Sequence, residues 1–344
     1  MTFTRRLLCT GLAVSAAFVF LAPLPAQNPD SQSTPAAAGK FRILDTVRAK
    51  TIQQELDTAA AEGFRVVSGD AGYKILLLEK DPAGTRAEYV FSDSVDRLVE
   101  KGQSQGYRIL PFSFAAGLHS VGAVLEKLAA GEPQSEYHVL STVQTRNFQK
   151  DMNEWSGKGF QLVAFSGSAR NYGLMEKPAG AAPAGPTDRY LLLATSRTGT
   201  LEKEITDAVA GGYRVLFATG AKKEILVVLE KLAPGEAAPR YRLVSTARSG
   251  TLEREIAAAG RDGYRLLPMT LCALAKSGGI LGTIGYEIAA IMEKKPGSPS
   301  AQYKMLSTRR VPTLQKELAE MNLEGWSLTR LFLSYEEQIL IFER

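Results

Sequence analysis

The chain has 344 residues, of which 45% are hydrophobic and 22% charged, and these proportions are typical of a folded globular protein rather than a disordered one. The formal net charge is +5, and lysines and glutamates are mixed along the chain without a basic block. Composition therefore argues against a nucleic-acid partner.

The first 26 residues have the layout of a secretory signal. Arg5 and Arg6 precede an apolar run from Leu7 to Ala22, and small residues close the segment. A membrane anchor is the alternative, but the run is short for a span and a Pro/Ser/Ala-rich stretch follows it. We therefore predict a signal peptide at 1–26 and a disordered linker at 27–40, in a periplasmic or secreted protein without a membrane span in the mature chain.

Cleavage of this signal changes both the charge and the cysteine content. The formal net charge would fall from +5 to +3 because Arg5 and Arg6 are lost. Cys9 would also be lost, which leaves Cys272 as the single cysteine. No intramolecular disulfide could form, even in an oxidising compartment.

A glycine followed by an aromatic residue recurs six times along the chain. Each glycine ends a segment with helical spacing of apolar residues, and each copy closes on an acidic residue followed by a basic one. The glycines are Gly63, Gly106, Gly159, Gly212, Gly263 and Gly325. The acidic residues are Glu79, Glu126, Glu176, Glu230, Glu293 and Glu343. The pattern indicates six copies of one unit.

The fourth copy shows how the unit is expected to fold. Residues 190–195 are a short β-compatible run, and Thr200 is placed to cap a helix in which Glu202 suits the helix dipole. Gly212 is predicted to end this helix in the left-handed conformation, before a second strand. A third strand is predicted over 225–230, which makes the unit β-α-β-β.

A right-handed crossover through the helix makes the first two strands parallel, with the third strand between them and antiparallel to both. The acidic residue that ends the third strand should then meet basic residues that begin the other two. The expected pairs are Glu293 with Arg242 and Arg265, Glu79 with Arg42 and Arg65, Glu343 with Lys304, Glu126 with Arg108, and Glu176 with His138.

Both faces of each predicted sheet are apolar, and one helix can cover only one of them. Neighbouring units are therefore expected to shield one another, as pairs, as two triplets or as a continuous array. The predicted fold class is α+β, with six tandem three-stranded units that each carry one helix on one face. The predicted units are 41–80, 87–127 (degenerate), 136–177, 189–231, 241–294 and 302–344.

Units 2 and 5 share a proline after the second strand and a long apolar hairpin loop. The loop of unit 5, residues 271–287, could form a ligand mouth, a membrane-touching flap or a partner surface. The simpler alternative is a long hairpin packed against a neighbouring unit. Cys272 within it is expected to be a small core residue rather than a nucleophile.

The last unit resembles the small bacterial domain-of-unknown-function family numbered 4177. The resemblance rests on the segment YKMLSTRRVPTLQKELAEMNLEGWSLTRLFL and its closing basic-ended strand, through Leu314, Leu318, Glu324, Gly325 and Trp326. Other copies carry Tyr or Phe in place of the tryptophan. The resemblance implies a compact α+β unit and no activity, substrate or catalytic residue.

No motif for catalysis, cofactor binding or metal binding is present in the sequence. Neither His119 nor His138 belongs to a cluster with ligand spacing, so no metal or cofactor is expected. We expect a noncatalytic binding or scaffold protein of the bacterial envelope, whose partner is an unknown protein, peptide or glycan. The alternative is an enzyme or small-ligand-binding protein with a site near the long loops of units 2 and 5, where His119, Cys272 and Tyr286 are the candidate binding residues.

Overall fold

A computed structural model of the chain describes residues 39–117, 120–182, 184–221, 223–277, 284–334 and 337–344. These residues form a mixed fold of six α-helices and six small antiparallel sheets of three or four strands. The order of elements is consistent with six repeated units. None of the helices in these ranges is long and apolar enough to cross a membrane.

The first three units differ mainly in the length of the second strand. Unit 1 comprises β1 (Phe41–Asp45), α1 (Ala49–Ala61), β2 (Phe64–Asp70) and β3 (Ile75–Lys80). Unit 2 comprises β4 (Tyr89–Ser92), α2 (Val95–Ser104), β5 (Tyr107–Ile109), β6 (Ala115–Ala116) and β7 (Val121–Lys127). Unit 3 comprises β8 (Glu136–Thr142), α3 (Thr145–Gly157), β9 (Gln161–Gly167) and β10 (Asn171–Lys177).

The last three units follow the same order. Unit 4 comprises β11 (Tyr190–Thr195), α4 (Thr198–Ala210), β12 (Tyr213–Ala221) and β13 (Glu224–Lys231). Unit 5 comprises β14 (Arg240–Thr246), α5 (Ser249–Arg261), β15 (Arg265–Leu266), β16 (Cys272–Ser277) and β17 (Ile284–Lys294). Unit 6 comprises β18 (Tyr303–Thr308), α6 (Val311–Leu323), β19 (Ser327–Leu333) and β20 (Gln338–Glu343).

In every sheet the last strand of the unit lies in the middle, as in the order β1-β3-β2. It pairs antiparallel with both neighbours, which is the strand order that the crossover argument predicts. The first two strands therefore run parallel, and the helix returns between them. Consequently the helix N-terminus and the hairpin lie at one end of each unit, and the linkers lie at the other.

The second strand is interrupted in units 2 and 5 by a short 3-10 turn that begins at Pro111 or Pro268. Proline has no N–H, so the ladder cannot continue through it. The Ser113 hydroxyl accepts instead from the Val124 N–H at 2.9 Å, and the equivalent Thr270 hydroxyl accepts from the Ile291 N–H at 3.0 Å. These hydroxyls replace the backbone partners that the turn removes.

Each helix ends two residues before its repeated glycine, and all six glycines have φ between 70° and 88°. The left-handed conformation is accessible to glycine without a Cβ clash. In unit 2 the Lys127 Nζ lies 4.4 Å from the centre of the Tyr107 ring and donates to the Gln105 carbonyl at 2.8 Å. The final basic residue of the unit thus covers the aromatic ring and binds the helix C-terminus, where a cation is favoured.

The start of α4 differs from the prediction. The helix begins at Thr198 with Arg197 at the N-cap, and no side chain caps it. The Thr200 hydroxyl donates to the Arg197 carbonyl at 3.0 Å instead of accepting from the helix. Because the helix begins three residues earlier than expected, Glu202 lies beyond its first turn, which contains no acidic residue.

Each hydrophobic cluster joins the helix and sheet of one unit to the sheet of the next unit. Ile52 and Leu56 of α1, for example, pack with Tyr89 and Phe91 of unit 2. Six such clusters occur in the described chain, one at each boundary between neighbours. The sixth joins Leu318 and other residues of α6 to Phe41 and Ile43 of unit 1. The six units therefore form a closed ring.

Equivalent contacts at several boundaries show that the units run in the same direction. The Gln53 side-chain amide donates to the Tyr89 carbonyl of the next unit at 3.0 Å, and the Asn153 amide donates to the Tyr190 carbonyl at 2.9 Å. These amides cover the otherwise open edge of the following first strand. All hairpins and helix N-termini consequently lie on one side of the ring, the hairpin face, and all linkers lie on the opposite side, the linker face.

Candidate functional site

A tyrosine hydroxyl joins successive units near the linker face. The Tyr303 hydroxyl accepts from the backbone N–H of Leu266 in the preceding unit at 2.9 Å and donates to Glu343 at 2.7 Å. The same bond from backbone N–H to tyrosine hydroxyl occurs at three other boundaries. The Val66 N–H donates to the Tyr89 hydroxyl, the Leu162 N–H to Tyr190, and the Val215 N–H to Tyr241.

The prediction that the repeated glutamates contact the basic residues of the first strands is wrong. The ladder pairs Tyr241 with Glu293, so Arg242 points to the other side of the sheet. There it forms an ion pair with Asp262 at 3.0 Å, beside the C-terminus of its own helix. Equivalent pairs join Arg42 to Glu62 and Lys304 to Glu324.

The basic residues of the second strands also differ from expectation. Arg65 is opposite Glu79 in the ladder, but its guanidinium binds Glu126 of unit 2 at 2.7 Å. Arg265 likewise reaches Glu343 of unit 6. The predicted contact of Arg108 with Glu126 is present. Burial would raise the pKa of Glu126, but hydrogen bonds from Arg65 and Arg108 hold it below its usual range.

His138 takes a structural position instead of contacting Glu176. The ladder places Met175 opposite His138, and the imidazole stacks on Trp155 with the ring centres 3.6 Å apart. Burial, followed by the nearby charge of Lys158, lowers the pKa of His138. The imidazole is therefore part of the packing around the end of α3.

The boundary between units 6 and 1 lacks two of these groups. Phe41 occupies the position of the boundary tyrosines and has no hydroxyl to offer the backbone of β19. Ser327 occupies the position of Arg65 and Arg265. Glu79 is retained and forms an ion pair with Lys40 at 3.0 Å. The carboxylate is thus present without the tyrosine and arginine that accompany it at the boundary between units 5 and 6.

A cleft of about 240 Å³ lies at this boundary, and we call it the seam cleft. Its polar groups include the Glu79 and Lys40 pair, and Lys40 also donates to Asn322 at 2.8 Å. Aromatic walls are provided by Phe41 and Trp326. The remaining lining residues are Val67, Ser68, Ser327, Leu328 and Thr329. The cleft can offer hydrogen-bond donors, an acceptor and an apolar wall to one small group.

A charged pair lies at the centre of the ring. The Arg330 guanidinium of unit 6 donates to the Phe112 carbonyl of unit 2 at 3.1 Å and contacts the Met269 sulfur of unit 5 at 3.4 Å. Burial lowers the pKa of Arg330, and the charge of Asp70 opposes that effect. Burial also raises the pKa of Asp70 to about 6. One side chain of unit 6 thus contacts units 2 and 5, which are not adjacent to each other in the ring.

The residues suggested as binding candidates do not form one site in the described chain. Cys272 is buried beside the α4 residues Leu201 and Ile205, and burial raises the pKa of its thiol to about 12. A thiolate is therefore scarce near neutral pH. Tyr286 lies on β17, and His119 lies outside the described residues.

The long hairpins of units 2 and 5 pack on different neighbours. The described part of the unit 5 hairpin packs on unit 4, where Leu274 joins the α4 cluster. In unit 2, the Ala116 N–H donates to the Ser166 hydroxyl of unit 3 at 2.9 Å. No group of three or more His, Cys, Asp and Glu within the described ranges is arranged to hold a metal ion.

No protein family, curated protein or solved structure matches this chain. The seam cleft and the central pair therefore rest on geometry alone. Sequence reasoning missed both, although one signal for the cleft was present. The other five units begin the first strand with a tyrosine, where unit 1 has Phe41. They carry Arg or Gln at the start of the second strand, where unit 6 has Ser327.

Proposed function

We propose that this protein is an exported, noncatalytic binding protein of the bacterial cell envelope and that the seam cleft is its ligand site. Export is supported by the signal-like segment at residues 1–26. A binding role is supported by the seam cleft, where the ring departs from its repeated groups; a second cleft of about 240 Å³, between units 2 and 3, keeps Arg108, Tyr137 and Glu176. A catalytic centre would require a specialised cluster of reactive groups, for which the sequence provides no motif.

The observation that carries the proposal is the pair of substitutions at this one boundary. At the boundary between units 5 and 6, the chain itself supplies Arg265 and Tyr303 to Glu343. Phe41 and Ser327 replace both groups at the seam, where the cleft lies. A ligand could therefore take the place of groups that the chain supplies elsewhere.

A short peptide segment fits this chemistry best. The Leu328 N–H occupies the position whose equivalent at Leu266 donates to a tyrosine hydroxyl, so it can donate to a peptide carbonyl. Glu79 can accept from an amino or guanidinium group, and Phe41 and Trp326 can contact apolar side-chain carbons. The volume of about 240 Å³ suits one or two residues rather than a long segment.

The proposal can be tested by filling the cleft. Trp155→Phe leaves Trp326 as the single tryptophan, so its fluorescence reports on the cleft. A tripeptide library with a basic central residue should change this fluorescence in the Trp155→Phe protein. The further double substitution Phe41→Tyr/Ser327→Arg supplies the two missing groups and should abolish the change.

Ala129→Arg is the matched control because it adds the same charge at an exposed linker position remote from the cleft. It should leave peptide binding unchanged within about twofold, since an exposed charge at this distance is screened by salt. Absence of any fluorescence response, or an equal response from the filled variant, would rule out the seam cleft as the peptide site.

A further inference from the structure

Five arginines on the hairpin face stand at the beginnings of five different helices. Four occupy the N-cap position, and Arg146 is the second residue of α3. All five side chains are exposed to solvent. The residues are Arg48, Arg146, Arg197, Arg248 and Arg310, which we call the arginine set.

The arginine set differs from the arginines near the linker face in its partners. No carboxylate in the described chain lies within ion-pair distance of any of the five. By contrast, several arginines near the linker face bind carboxylates of the chain. These pairs are Arg42 with Glu62, Arg65 and Arg108 with Glu126, Arg189 and Arg214 with Glu230, Arg242 with Asp262, and Arg265 with Glu343. The positive charge of the hairpin face is therefore available to an external anion.

This placement is unfavourable for the helices themselves. The first turn of a helix favours acidic residues, because the backbone N–H groups there carry partial positive charge. None of these five helices has an acidic residue in its first turn, and none has a side-chain cap. Local helix stability thus gives no reason for the arginines, whereas binding an anionic surface does.

Exposed apolar side chains occur on the same face. Val47 is 63% exposed next to Arg48, and Tyr73 is 52% exposed at the hairpin between β2 and β3. Val143 is 45% exposed in the turn before α3. These side chains stand among the cations, at the level of the hairpins and helix starts. Cations surrounding exposed apolar groups are the chemistry of proteins that lie on a lipid surface.

We propose that the hairpin face docks on a membrane surface that carries anionic lipid headgroups. The arginine set would contact lipid phosphates, and Val47 and Tyr73 would enter the interface between headgroups and acyl chains. A nucleic acid or another soluble polyanion would use the charge but has no need of the apolar groups. The docking is independent of the seam cleft, because it uses the arginine set and the residues beside it.

The test uses the chain from residue 27, because the apolar signal would itself enter lipid. Sedimentation with vesicles of phosphatidylcholine containing 30% phosphatidylglycerol should show binding in about 0.1 M NaCl and loss of binding in about 0.5 M NaCl. Pure phosphatidylcholine vesicles should bind at least about tenfold more weakly. The triple variant Arg48→Ala/Arg197→Ala/Arg248→Ala should weaken binding roughly 100-fold.

Two further variants separate a lipid-binding face from a simple charge effect. Arg86→Ala/Arg240→Ala/Arg261→Ala removes the same charge from exposed positions at the linker face and should change binding by less than about threefold. Val47→Ser/Tyr73→Ser should weaken vesicle binding about tenfold while leaving binding to heparin, a soluble polyanion, unchanged. Circular dichroism and thermal unfolding confirm that each variant is folded.

Equal losses in the two arginine triples would show that net charge alone drives binding and would overturn the proposal. So would tighter binding to heparin than to vesicles, or absence of binding to anionic vesicles.

Discussion

The Tyr303 hydroxyl accepts a hydrogen bond from the Leu266 N–H at 2.9 Å across the boundary between units 5 and 6. The N–H lies on the outer edge of β15, where its own sheet provides no further strand. A side chain from the next unit thus completes the backbone hydrogen bonding of the preceding one. Assembly of the ring therefore provides acceptors for backbone N–H groups that a single unit would leave without one.

Removing this hydroxyl should destabilise the ring. Tyr303→Phe leaves a buried N–H without its acceptor, which costs about 1–3 kcal/mol of unfolding free energy. The reverse change, Phe41→Tyr, adds a hydroxyl where the chain lacks one and should gain about 1 kcal/mol. Urea denaturation measures both, and unfolding free energies within about 0.5 kcal/mol of the parent protein would contradict the assigned role.

Asp70 should make stability depend on pH. Its pKa in the folded protein is raised from 3.8 to about 6, so the folded state holds its proton more tightly than the unfolded state. The contribution of Asp70 to the free energy of unfolding is therefore greatest at low pH, falls between about pH 4 and pH 6, and is constant above that. The ionised carboxylate costs about 3 kcal/mol at neutral pH.

Asp70→Asn isolates this contribution. The amide oxygen can still accept from the Tyr73 N–H, which bonds the carboxylate at 3.1 Å. At pH 7.5 the variant should exceed the parent protein in unfolding free energy by up to about 3 kcal/mol. The advantage should fall below about 1 kcal/mol at pH 4, where Asp70 is almost fully protonated in the folded parent and about half protonated in the unfolded parent. A difference that is the same at both pH values would refute the assignment.

Gly212 should tolerate alanine poorly even though space is available. Nothing lies within 4 Å of the position that an alanine Cβ would take, but φ is 86°, so the cost of about 1–2 kcal/mol comes from backbone strain. Gly199 is the matched control because it also has open space and lies within α4. Gly199→Ala should stabilise the protein by up to about 1 kcal/mol. Thermal unfolding that gives both variants the same sign would contradict this account.

Because the units form a closed ring, a circularly permuted chain with new termini in another linker should also fold. A permutant that joins Arg344 to Gly39 through a short Gly/Ser linker and begins in the linker between units 3 and 4 should unfold cooperatively, within about 10 °C of the parent midpoint. Lys40 already binds Asn322 of α6 at 2.8 Å, so the two ends of the ring are in contact.

Deletion of unit 6, residues 302–344, is the corresponding control. It exposes the packed faces of units 1 and 5 and should abolish cooperative thermal unfolding, because each boundary cluster needs both of its units. A deletion variant as stable as the parent would show that closure contributes little.

The local structure was readable from the sequence because it depends on near neighbours. Apolar spacing predicts the buried stripe of α4, and a left-handed glycine such as Gly212 needs only its own backbone. The central position of the third strand follows from chain connectivity and handedness.

Tertiary structure decided the pairing of charges and the identity of the sites. Arg65 lies opposite Glu79 in its own sheet but binds Glu126 of the next unit, because the ring brings that carboxylate closer than strand pairing alone suggests. Arg330 meets Phe112 across 218 positions of sequence, and only closure of the ring places them together. Short-range interactions determine the fold of each repeated unit. The packing of successive units determines which residues meet at the seam, at the axis and on each face.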